Sequence, residues 1–137
     1  MRISVAVIAA LLGFSTPAAA QSPPEPIDCS KASSTPEIAW CAGEDMKRVD
    51  AALKIAFDAA LKIASADESK TGAQRKGWKS DLRDTQRLWL AYREKDCGAV
   101  IGWEWFGGTG MGAAGLACKV AKTEARTKEL IDRYQSR

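Results

Sequence analysis

The sequence predicts an all-α fold: an antiparallel helical hairpin plus a C-terminal helix, in a small disulfide-stapled bundle. Three observations predict it. Apolar residues recur at steps of three and four in three separate segments, the period of a helix and not of a strand. No run alternates apolar and polar residues as a half-buried strand does. Four cysteines follow an export-type N-terminus, and thiols in an oxidising compartment pair.

The first element is that N-terminus. In MRISVAVIAALLGFSTPAAA, Arg2 supplies a positive head, Val5 to Phe14 an apolar run, and Ala18-Ala19-Ala20 a small-residue cleavage site. Residues 1–20 therefore read as a signal peptide. The run is shorter than the roughly 20 apolar residues a spanning helix needs, and no cysteine sits at the cleavage site to take a lipid, so no stable membrane anchor is expected. Residues 21–36, rich in Pro and Ser, form an irregular lead-in, and residues 37–137 the helical domain. The net charge of +3 falls by one with Arg2. That is too small to point to nucleic acid. The expected location is the bacterial periplasm or the exterior.

Ser34-Thr35-Pro36-Glu37 matches a capping box and opens the first helix, Glu37 to about Ala66. Its apolar face runs through Met46, Val49, Leu53, Phe57, Ala60 and Ala64. The segment ADESKTG breaks the pattern, and Thr71 with Gln74 opens a second helix reaching about Asp96. Trp78, Leu82, Thr85, Trp89 and Tyr92 lie along it. The short break makes these two helices a hairpin. Residues 98–115 hold seven glycines and are expected to be a loop. The last helix, from about Ala114 to Tyr134, carries a seam of Leu116, Val120, Thr123, Thr127, Leu130 and Tyr134. Of three possible cystine pairings, sequence neighbours are favoured: Cys29 with Cys41 and Cys97 with Cys118. Each closed loop would contribute roughly 3 kcal/mol.

The spaced set Asp50, Leu53 and Phe57; Gln86, Trp89, Tyr92, Arg93, Glu94 and Cys97; Gly107-Gly108-Thr109; and Cys118, Thr123, Arg126 and Leu130 resembles the LprI-type lysozyme-inhibitor domain family. The resemblance spans about residues 29–131. Lys54 stands where that family usually has Asn, Glu94 where Asp is commoner, and Trp103-Glu104-Trp105-Phe106 is not a family hallmark. The resemblance implies a helical fold, small exported bacterial proteins and, for some members, lysozyme inhibition.

Gln86, Trp89 and Arg93 share one helical face. With Asp50 and Arg126 the polar members read as a set at the helix interface, where a buried arginine must be paired. Asp50 borders the seam and is placed to meet Arg93 or Arg126. The set either holds helix register or forms a small-ligand pocket. Trp103, Glu104, Trp105 and Phe106 form the candidate partner-binding group, since aromatics dominate binding hot spots. The alternative is that they fold back over the bundle, because a small domain needs its large apolar groups.

No enzyme is expected. Histidine is absent, which excludes a Ser-His or Cys-His nucleophile. No phosphate-cradling Gly-Lys-Ser/Thr motif follows the glycines, and Glu104 lacks the second carboxylate that sugar hydrolysis needs. Neither a cofactor nor a metal is expected. The partner expected is a lysozyme or another envelope protein. The function read from the sequence is an inhibitor of a lysozyme-like peptidoglycan hydrolase or, alternatively, a periplasmic envelope-interaction module without that activity.

Overall fold

A computed structural model describes residues 27–135. The segment expected to be a signal peptide and the start of the expected lead-in lie outside the described residues. The chain forms α1 (Thr35–Ala66), α2 (Gly72–Lys95), a π-helical turn (Asp96–Val100), α3 (Ile101–Glu104) and α4 (Met111–Tyr134). There is no strand among the described residues, and none of their helices is long and apolar enough to cross a membrane.

Both helix starts form as the capping boxes predict. The Glu37 amide donates to Ser34 Oγ at 3.3 Å, and the Ser34 amide donates back to Glu37 Oε2 at 3.0 Å. At α2 the Gln74 amide donates to Thr71 Oγ1 at 3.3 Å and the Thr71 amide to Gln74 Oε1 at 2.8 Å. Each box satisfies two amides that the first helical turn leaves without partners. The amides of Ser34 and Ser33 hold the Glu37 carboxyl below its ordinary pKa.

Residue pairings give the topology. Asp50 meets Arg93 across α1 and α2, so these helices run antiparallel about their short connection. Trp78 faces Tyr134 with ring centroids 6.2 Å apart, while Arg93 bonds Thr123. Hence α2 and α4 are also antiparallel. Arg48 pairs with Glu124 at 3.6 Å, and α1 and α4 lie parallel. The bundle goes up, down and up.

The hairpin forms as expected, and α4 covers it. The most extensive packing of α1 is against α4, and its contact with α2 is smaller. The reason lies on α1, where Ala56, Ala60 and Ala64 are all buried beside Leu53. Small side chains permit a close interaxial approach. Leu130 of α4 fills that face, with Phe57, Trp89 and Tyr134 packed around it.

The glycine-rich stretch departs from the expected loop. It is not a loop throughout: α2 passes through the π turn into α3, and α4 begins at Met111, three residues before the expected start. Packing overrides the low helix propensity of glycine here. A Cβ on Gly115 would stand 2.8 Å from the Cys97 carbonyl oxygen, so only glycine lets α4 lie this close to the end of α2. Both disulfides join the expected partners, with Cα separations of 5.6 Å for Cys29–Cys41 and 5.5 Å for Cys97–Cys118.

Candidate functional site

Two groups of residues stand out, one inside the bundle and one at its edge. The inner group is built on Arg93, whose side chain is buried. Its Nη1 donates to Asp50 Oδ1 at 2.6 Å and to Thr123 Oγ1 at 2.8 Å, while Nε and Nη2 donate to Glu94 Oε1 at 3.2 and 3.0 Å. Its guanidinium carbon lies 5.5 Å from the centre of the Trp89 ring. Thr123 is fully buried and donates its own hydroxyl to the Lys119 carbonyl at 2.7 Å. Glu94 also pairs with Lys119, which is the main cause, ahead of Arg93, of its lowered pKa.

A second pair sits further along the same interface. Buried Arg126 donates from Nε to Gln86 Oε1 at 3.3 Å and from Nη1 to Glu129 Oε2 at 2.7 Å. The four polar residues expected to meet therefore form two clusters, Asp50 with Arg93 and Gln86 with Arg126. Asp50 chooses Arg93. Thr123 and Glu94 are members the polar reading missed. Thr123 lies in the apolar seam of the last helix, and nothing in its spacing distinguishes an acceptor for arginine from a core threonine. Asp50, Gln86 and Arg93 also border an open groove of about 380 Å³ with Leu53, Phe57 and Leu90.

The outer group spans the end of α3 and the turn that leads to α4. The Trp105 amide bonds the Ile101 carbonyl at 3.0 Å, and the Gly108 amide bonds the Trp105 carbonyl at 2.9 Å. Phe106 and Gly107 have φ of 48° and 73°. Two successive left-handed residues reverse the chain, at a cost of roughly 1–2 kcal/mol for the non-glycine one. The reversal separates the aromatic side chains. Trp103 is 81% exposed and Phe106 93%, whereas Trp105 is 47% exposed. The Trp105 ring lies so close over Gly110 that any Cβ there would collide with it. Trp103 and Phe106, with Ala99, Gly102 and Gly107, border an open groove of about 470 Å³.

Asp96 adjoins the second disulfide, its carboxylate and both sulfurs lying within 4.8 Å of one another. Those sulfurs are bonded to each other and are not the thiolates a metal binds. Asp96 itself pairs with Lys122 at 3.0 Å. Lys122 also donates to the Tyr92 hydroxyl at 3.0 Å, the larger cause of its raised pKa.

The chain is similar to the uncharacterized protein R02472 of Rhizobium meliloti (strain 1021), with 32% identity over 139 residues, covering 99% of this chain and 98% of that one. No solved structure matches. A family model described as lysozyme inhibitor LprI matches residues 28–130, which takes in both disulfides, both polar clusters and the aromatic turn. The chain belongs to the LprI lysozyme inhibitor family.

Proposed function

We propose that this protein is an exported inhibitor of a lysozyme-like peptidoglycan hydrolase, and that Trp103, Glu104, Trp105 and Phe106 are its contact surface. Family membership supports the activity. One observation carries the surface: Trp103 and Phe106 stand almost wholly in solvent on one short turn. Large exposed aromatics on a braced turn are the anchors that binding hot spots use. The Cys97–Cys118 bridge across the base of the turn limits its freedom, so less entropy is lost on docking. Asp50, Gln86, Arg93 and Arg126 act in this reading as register pins, the best-attested use of buried charge. The disulfides and the signal sequence support a periplasmic or extracellular location.

The test is lysis of cell-wall suspensions, followed by turbidity, with a panel of lysozymes and the mature protein. Dose-dependent protection against at least one lysozyme is expected. Protection against none, with the protein folded and oxidised, refutes the activity.

A further inference from the structure

The four residues of the aromatic turn are not equivalent, and their differences say how the inhibitor works. We infer that Trp103 and Phe106 enter the sugar-binding cleft of a basic glycan hydrolase and exclude its glycan, with Trp105 bracing the turn beneath them and Glu104 as the steering charge. This rests on the reading that the partner is a lysozyme-like hydrolase.

Exposure and packing separate anchor from strut. Trp103 and Phe106 have little to pack against within their own chain. Trp105 is half exposed, and its ring is closed against Gly110 at the start of α4. Removing Trp105 would loosen the turn, whereas removing Trp103 or Phe106 would only blunt its tip. A projecting aromatic tip is the complement of a concave site, and ligand sites are concave. The cleft of a glycan hydrolase is shaped for flat, largely apolar ring faces, and an aromatic ring offers a comparable face.

Charge selects the partner. From Cys97 to Cys118, Glu104 is the only charged side chain, so this segment is negative while the whole chain is +3. A basic hydrolase carries a positive long-range field. The chain as a whole would be repelled by such a field. An approach led by Glu104 would be attracted. The same carboxylate, at the centre of the tip, disfavours an anionic lipid surface as the docking site.

Steady-state lysis by a basic lysozyme, with chitotriose as a competing cleft ligand, tests the inference. Inhibition by the unaltered protein should be mutually exclusive with that by chitotriose, so that chitotriose raises the protein concentration needed to half-occupy lysozyme. Trp103→Ala and Phe106→Ala should each weaken it about 30-fold or more, the loss expected at a hot spot, with melting temperatures unchanged. Trp105→Ala should lower the melting temperature. Glu104→Lys should slow association roughly 10-fold at low salt, and the difference should shrink at high salt. If the unaltered protein inhibits no lysozyme, the parent reading fails and this one with it. Three outcomes leave the parent reading standing and overturn this inference alone. They are binding of the protein to lysozyme that saturating chitotriose does not weaken, full potency in both Trp103→Ala and Phe106→Ala, and retention of the protein on purified peptidoglycan through Trp103 without hydrolase.

Discussion

Replacing Gly115 by Ala should destabilise this protein, although the same change at Gly77 should stabilise it. Both glycines lie inside long helices. At an open helical position Gly→Ala gains roughly 0.5–1 kcal/mol, because alanine restricts the unfolded chain more. Gly77 is such a position, with nothing within 4 Å of an added Cβ. At Gly115 the added Cβ would stand 2.8 Å from the carbonyl oxygen of Cys97. That oxygen belongs to the backbone and cannot rotate away. Cys97 is itself buried and is tied to α4 through Cys118, one turn beyond Gly115. Overpacking of this kind costs about 1–3 kcal/mol. Set against the propensity gain, the net loss is about 1–2 kcal/mol, a fall of roughly 5–10 °C in Tm for a domain of this size. Urea and thermal unfolding of the two variants beside the parent measure the difference. If Gly115→Ala melts at or above the parent, the close approach of α4 to the π turn does not depend on glycine, and the reasoning is wrong.

Arg93→Ala should cost about 2 kcal/mol, chiefly through lost packing of the arginine stem and the lost bond to Thr123. Asp50 and Glu94 are half exposed and regain water, and Thr123 keeps its bond to Lys119. A loss of about 4–5 kcal/mol in urea unfolding would instead mean that a charge is left buried and alone. The Asp67 carboxyl is held at about 2, against an ordinary 3.8, first by the Ser69 hydroxyl and then by Lys70. Its folded-state pKa is depressed, so its contribution is complete above about pH 4 and is lost as the pH falls towards 2. Asp67→Asn should therefore flatten that part of the Tm–pH profile, and an unchanged slope would refute the assignment.

Sequence alone determined the three long helices, the caps of the first two, the cystine pairs and the identity of the polar residues. These follow from local rules. Ser34 with Glu37 and Thr71 with Gln74 carry their own partners three residues away. The spacing of Val49, Leu53, Ala60 and Ala64 marks a buried face whatever covers it. Cysteines close in sequence have short loops to close. Tertiary structure decided the rest, because the remaining choices depend on groups distant in sequence. The alanines of α1 permit close approach, but only the shape of α4 makes it their principal neighbour. Asp50 bonds Arg93 and not Arg126 because antiparallel register sets it level with the last turn of α2. Residues 96–104 are helical despite their glycines because the stapled, Cβ-free contact at Gly115 holds them against α4. Trp103 and Trp105 are two residues apart and look alike as a sequence. The left-handed pair Phe106 and Gly107 turns the chain so that Trp105 closes on Gly110 and Trp103 is left in solvent.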